Sequence, residues 1–406
     1  MTNKILDARS LEQRIKATER TTSEGRALVV LCLATVAVFS NMYATQPILP
    51  VIGQEFGLLP SEAGLTISTM VLAIATSAVF YGLLSDRIGR RPVIIGSTLA
   101  LTIPTLLCAV APNFVLLIIC RIGQGLLIPG FVAITITYIH EEFTAWRGVA
   151  VGWYTAASIM GGFTGRLQGG LMTEFVNWRF AFVTFGIINL LSGYALWRYL
   201  PTSRNFARRK TRAGFNLSEL LACLKNRRLL GAYLLGPAIF LPFIGLFTYL
   251  PYYLTRPPFN LSTVVVSFIF VVYLAGVVAA PISGRFSGRL GRRRVMAIGV
   301  IMMAGGSGLT LTPWLITVFV GLVIMCFGMF TTQSTVNAFI GDSVKVEAGQ
   351  GRGSAVSLYQ MSFYVGGSIG GFVPGLLWQS GGWLPVVVGC LASLMVGLVA
   401  IRWLCR

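Results

Sequence analysis

The chain has 406 residues, of which 55% are hydrophobic and only 11% charged, and its formal net charge is +19. Soluble domains carry about a quarter charged residues, so this composition excludes a soluble protein and requires an integral membrane protein. The positive charge would fit a nucleic-acid binder only if the basic residues formed one surface, and their placement along the chain excludes that.

The first 26 residues are polar with mixed charge and lack the apolar core of a signal peptide, so they are expected to form a cytoplasmic tail. A hydrocarbon core about 30 Å thick takes about 20 helical residues to cross. Runs of that length follow at 27–50, 63–84, 92–111, 114–139, 147–175, 179–200, 229–255, 262–283, 294–313, 315–341, 352–379 and 383–404. The longest polar interruption, 201–228, reads as a linker between an N-terminal half, 27–200, and a C-terminal half, 229–406, of six spans each. With the N-terminus inside, all but four of the 32 Lys and Arg residues fall on the inner side. Arg179 and Arg256 are outside, and Arg121 and Arg166 lie within spans. The positive-inside bias therefore places both termini in the cytoplasm and accounts for the charge without nucleic acid.

In chain order, the first span carries Asn41 and ends in Ala44-Thr45-Gln46-Pro47-Ile48-Leu49-Pro50. The second is followed by the short basic loop Gly82-Leu83-Leu84-Ser85-Asp86-Arg87-Ile88-Gly89-Arg90-Arg91. The fourth contains Arg121-Ile122-Gly123-Gln124-Gly125 and ends near His140, Glu141 and Glu142. The fifth carries Gly152, Gly161, Gly162, Gly165, Gly169 and Gly170, which would let helix backbones approach closely in lipid, around the single charge Arg166. Parts of the first half recur in the second. Arg147, Tyr154, Gly161, Gly165 and Trp178 return 205 residues later as Arg352, Tyr359, Gly366, Gly370 and Trp383. The basic loop returns 202 residues later as Gly284 to Arg293, with Gly288 in place of Asp86. A parallel repeat of this kind is the layout in which a substrate site forms between halves at mid-membrane.

The loop from Gly82 to Arg91, the Arg121-x-x-Gln124-Gly125 pattern and the spacing of the fifth-span glycines resemble the signatures of the major facilitator superfamily. The helix-five pattern of its antiporter branch has proline where Arg166 stands. The end of span one and the run Gly161 to Arg166 are similar to the YnfM-like group of the twelve-span drug/proton antiporters. The resemblance implies an all-α membrane protein of twelve transmembrane helices in two pseudo-symmetric six-helix halves. It implies a multi-pass monomer in the bacterial inner (plasma) membrane that exports small amphiphilic drugs or metabolites by proton antiport, with no bound cofactor. Gly82, Asp86, Arg87, Gly89 and Arg90, with Glu141 or Glu142, would form a cytoplasmic charge cluster that latches the halves and opens with the inner gate. Arg289, Asp342 and Arg352 would serve the second copy, and Gly161, Gly165 and Gly169 the closing seam.

A charged side chain within the bilayer is costly and so points to function. At 1.5 Å per residue, Arg121 and Arg166 lie about 10 and about 14 Å below the outer helix ends. Asn41 and Gln46 lie at roughly similar depth, so these residues would form one polar layer. Arg121 and Arg166 would meet an anionic group or modulate a proton site, with Gln124 beside them. Alternatively, Arg166 satisfies carbonyls where spans five and eight meet. Opposite them, Tyr273, Gln333, Tyr359 and Gln360, with the aromatics Phe240, Phe243 and Phe247, would complete an amphiphile site of apolar lining with few polar groups. Pro237 and Pro242 would kink span seven.

None of the 13 acidic residues falls mid-span and the single histidine lies at a helix end, so no titratable proton relay is visible. This weakens antiport and keeps open a carrier of organic anions, sugars or other metabolites, by uniport or symport, using the cavity arginines. A non-transporting membrane sensor on the same fold is a further alternative. An enzyme is not expected: Gly366-Gly367-Ser368-Ile369-Gly370 fits the nucleophile-elbow pattern, but it lies in an apolar span that repeats the packing glycines. The seven cysteines are widely spaced and suggest neither disulfides nor a metal site.

Overall fold

The structure, a computed structural model, describes residues 24–144, 146–203, 217–343 and 352–405. Most of the expected tail and, within the expected linker, residues 204–216 lie outside the described residues. Among the described residues the regular structure is helical and no strand occurs.

Helix α1 occupies residues 24–43. Pro47 and Pro50 lack the N–H groups that would continue its ladder. The chain therefore passes through a 3-10 turn, Gln46–Ile48, into α2, Leu49–Phe56. Helix α3, Pro60–Ile88, starts on a proline, and its Glu62 Oε2 accepts from the Leu59 N–H at 2.8 Å. Next come α4, Arg90–Ala109, and α5, Phe114–Glu142, where Asn113 Oδ1 caps the Leu116 N–H at 2.9 Å. Helices α6, Arg147–Phe175, and α7, Trp178–Tyr199, complete a first set. After the short α8, Leu217–Lys225, a second set begins with α9, Arg227–Leu254. Helix α10, Thr263–Ile269, tightens into a 3-10 segment, Phe270–Leu274, before α11, Ala275–Leu290. Helices α12, Arg292–Leu309, α13, Leu315–Ser343, α14, Arg352–Gly381, and α15, Trp383–Trp403, follow.

Eight stretches among the described residues are long and apolar enough to cross a membrane, or nine with α3, which is bent by 46°. The twelve-span expectation needs α6, α12 and α14 as well. Glycines and polar residues lower the hydropathy of α6 and α14, and α12 opens on the three arginines Arg292, Arg293 and Arg294.

Within the first set α5 packs against α3 and α4, and α7 against α4. Within the second, α13 packs against α11 and α12, and α15 against α9. The sets meet where α14 lies along α3 and where α6 lies along α10 and its 3-10 extension. The sequence repeat reappears as repeated contacts. Gly89 and Gly291 each take a positive φ, 100° and 83°, which lets the chain reverse between α3 and α4 and between α11 and α12. Arg91 then donates to the carbonyls of Trp197 and Leu200, both at 2.7 Å. Arg293, 202 residues later, donates to those of Ile401 and Arg402, at 3.1 and 2.7 Å. Each arginine thereby satisfies carbonyls at the end of the last helix of its set. Likewise Arg90 pairs with Glu141 at 2.9 Å, and Arg292 with Asp342 at 2.7 Å.

Candidate functional site

A cavity of about 860 Å³ lies between the two sets. It extends toward the end that carries the basic turns: its walls include Thr137 near the end of α5, Thr155 near the start of α6, Asn337 near the end of α13 and Ser357 near the start of α14. At the inner limit of this space Tyr43, Phe243, Tyr273 and Phe330 form an aromatic roof. The Phe243 ring centroid lies 5.2 Å from that of Tyr273 and 5.9 Å from that of Phe330. Phe240, stacked on Phe363 at 3.9 Å, forms an aromatic side wall. Gln333, Ser334, Asn337, Ser357 and Gln360 supply the amides and hydroxyls of the second set. Among the described residues no lining side chain is charged.

Beyond the roof the two sets are closed against each other. On one side α3 and α14 cross on small residues. Ser368 Oγ donates to the Ser68 carbonyl at 2.9 Å, Ser68 Oγ donates to the Ser368 carbonyl, and Gln379 donates to Ser61 Oγ at 2.7 Å. On the other side the contact is made by Arg166. Its Nε donates to Gln46 Oε1 at 2.7 Å and its Nη2 to the Tyr273 hydroxyl at 3.0 Å. Gln46 in turn donates to Thr248 Oγ1 on α9 at 3.0 Å. The guanidinium carbon lies 4.2 Å from the Tyr43 ring centre and 4.0 Å from that of Tyr273. A desolvated cation over aromatic faces gains about 2 kcal/mol per favourable contact. The arginine is fully buried and has no carboxylate partner among the described residues. At the repeat-related position 371 stands a glycine, where an added Cβ would lie 2.9 Å from the Ser68 backbone nitrogen. One seam is thus a direct helix crossing, and its counterpart is a guanidinium wedge.

The single polar layer expected from the sequence is divided in two. Gln46 and Arg166 belong to the closure above the roof. Asn41, Arg121 and Gln124 form a separate, fully buried network inside the first set. Arg121 donates to the carbonyls of Asn41 at 2.9 Å, Met42 at 3.3 Å and Thr66 at 3.1 Å, and to Gln124 Oε1 at 2.6 Å. Gln124 donates to Thr105 Oγ1 at 2.8 Å, Thr105 to Asn41 Oδ1 at 3.1 Å, and Asn41 to Asn189 Oδ1 at 2.9 Å. Of the expected substrate residues, Tyr273, Gln333 and Gln360 line the cavity. Tyr359 is buried away from it, closely packed against Gly236 of α9. Sequence reasoning missed Asn189 and Thr105, and the lining tyrosines Tyr43, Tyr154 and Tyr364. A lone asparagine in the apolar α7 was the one signal available for the former.

The charge cluster is present. Arg90 Nη1 contacts Asp86 Oδ1 at 2.5 Å and Nη2 contacts Glu141 Oε1 at 2.9 Å, joining α3, α4 and α5. It was expected to part when this end opens, yet these pairs are intact with the cavity extending toward the same end. Glu142 ends α5, Arg352 begins α14, and Arg87 and Arg289 are exposed at the ends of α3 and α11. The side chain of Arg352 lies outside the described residues. A Cβ added at Gly82 would meet nothing within 4 Å. Gly161, Gly165 and Gly169 seat α1 through Val36, Ser40 and Ala44, within the first set. The contact with α10 and its extension falls to Gly162 and Gly170, which face Tyr273 and Ser267.

Known proteins repeat this arrangement. The sequence profile described as Major Facilitator Superfamily matches residues 31–345 and 258–406. The chain is 33% identical to the inner membrane transport protein YnfM of Escherichia coli (strain K12), over 96% of this chain and 93% of that protein. It is 30% identical to the uncharacterized transporter YybF of Bacillus subtilis (strain 168), over 91% and 90% of the two chains. Among solved structures, an inward-facing, unoccupied bacterial homologue of the human lysosomal transporter Spinster superposes with a TM-score of 0.74. That match is at 16% identity and covers 94% of this chain and 95% of the other. With two helix sets around a central cavity, repeated basic turns and these matches along almost its whole length, the chain is a membrane transporter, not an enzyme, and belongs to the major facilitator superfamily.

Proposed function

We propose that the protein exports small amphiphilic molecules across the bacterial inner membrane, as a monomer, by rocker-switch alternating access with protons as the counter-ion. The observation that carries this reading is the central cavity, with an aromatic roof above amide and hydroxyl walls and a closed far end. Apolar lining with few polar groups is what binds an amphiphile. The accessible end of this space carries the basic turns, which by the positive-inside rule face the cytoplasm, and this supports loading from the side that an exporter uses. Likeness to the drug/proton antiporters supports the counter-ion.

A second reading, a uniporter or symporter of organic anions, sugars or other metabolites, is favoured by one observation: the charge closest to the roof is Arg166, and no lining carboxylate opposes it.

The test is transport in proteoliposomes carrying an internal pH dye, with a panel of cationic, neutral and anionic amphiphiles. Export by antiport moves protons opposite to the substrate. Substrate movement without proton flux selects the second reading, and no movement of any amphiphile overturns both.

A further inference from the structure

The roof of the cavity carries two phenol hydroxyls, those of Tyr43 and Tyr273, among its aromatic rings. The Tyr273 hydroxyl accepts from Arg166 Nη2 at 3.0 Å, and among the described residues its own proton has no acceptor. Tyr43 and Tyr364 also line the cavity, and no described residue accepts from their hydroxyls. The ring centroids of Tyr43 and Tyr273 lie 6.2 Å apart, and Arg166 lies beside both. No carboxylate faces them from the lining helices.

Two effects compete over what the roof attracts. Aromatic faces draw cations, but here the faces of Tyr43 and Tyr273 are already occupied by the guanidinium at 4.2 and 4.0 Å. Arginine keeps its charge under all working conditions, so a second cation in the same place is repelled. An oxygen acceptor gains twice. It takes the free Tyr273 proton, whose donor strength is raised by the hydrogen bond the oxygen receives from Arg166, and it lies in the field of that charge.

We propose that the roof recognises a carboxylate on an aromatic substrate. The acid oxygen accepts from the Tyr273 hydroxyl, with Arg166 as the positioning residue behind it, and the substrate ring lies against Phe243 and Phe330. This substrate class rests on the reading of the cavity as the transport site.

The experiment measures equilibrium binding to the full-length protein in nanodiscs of three matched probes: 3-phenylpropionate, 3-phenylpropanamide and 3-phenylpropylamine. The acid binds at least about tenfold more tightly than the amine, with the amide between, as a hydrogen bond to a charged group requires. Tyr273→Phe keeps the ring and removes the hydroxyl. It lowers acid affinity roughly tenfold and leaves that of the amine unchanged. Arg166→Lys, which keeps the charge but not the planar fork, weakens acid binding less than Tyr273→Phe does. Equal binding of acid and amine, or an acid-to-amine ratio unchanged in Tyr273→Phe, overturns the proposal. Flux of the same probes in proteoliposomes separates the two readings. Preferred transport of the amine refutes the carboxylate site and leaves export standing. Preferred binding of the acid without flux of any probe supports the site and refutes its use in carrying this substrate class.

Discussion

Arg121 shows how a charge is held inside the bundle without a counter-charge. Placing an arginine at a membrane helix centre costs about 2.5 to 3.5 kcal/mol on insertion scales. Four hydrogen bonds from a charged donor, each about 1.5 to 3 kcal/mol, outweigh that cost. Two of the acceptors, the Asn41 and Met42 carbonyls, need a donor because α1 stops at residue 43. Arg121 therefore completes the broken end of α1. Arg121→Met should lower stability by about 3 kcal/mol or more, since it orphans buried carbonyls, and thermal unfolding in detergent reads the loss. Arg121→Lys should recover only part of it, because an ammonium lacks the fork. An unfolding midpoint for Arg121→Met equal to that of the native protein would refute this role. The Arg121/Gln124 pairing was legible, since three residues apart on a helix share a face. Its extension to Asn189 on α7 was not, because nothing local ties residue 41 to residue 189.

At the scale of the element, α6 carries two glycine stripes one residue apart, and each has its own neighbour. A Cβ at Gly165 would lie 2.4 Å from the Ser40 carbonyl oxygen on α1, and backbone cannot move aside cheaply. A Cβ at Gly170 would lie 1.7 Å from Ser267 Oγ on α10, which can turn away, and 2.6 Å from Ser267 Cβ, which moves only with α10 itself. The two substitutions should therefore fail differently. Gly165→Leu is expected to insert in the membrane but to lose transport and unfold at lower temperature, because it separates helices within one set. Gly170→Val is expected to stay folded while α6 and α10 are pushed apart above the roof. Spin labels at Glu174 and Arg256 would then report a longer distance than in the native protein, and an unchanged distance would count against a seam at this position. Periodicity showed that both stripes existed; which stripe met which helix depended on the rotation of α6 about its axis.

For the whole molecule, the cavity leads toward the basic end and the opposite end is closed by the Ser68/Ser368 crossing and by Arg166. Single cysteines at Thr155 and Ser357 should therefore react with a membrane-impermeant thiol reagent added on the side of the basic turns. A cysteine at Gln46 should resist the reagent from either side until the roof opens. Rapid labelling at Gln46 in the resting protein would show that the closure is not tight.

Composition, apolar run lengths and the two basic loops were sufficient to determine a helical membrane transporter and its superfamily, because lipid demands long apolar helices and the tight turns demand particular glycines and arginines. The repeat was legible for the same reason: Arg90 and Arg292 sit at the same offset after a positive-φ glycine and find Glu141 and Asp342. Only the tertiary structure decided that the polar residues form two layers, that Arg121 is locked inside one helix set while Arg166 bridges both, and that Tyr43, Tyr154 and Tyr364 line the cavity. Those outcomes depend on helix rotation and on where α1 and α10 break, and contacts between distant helices set both.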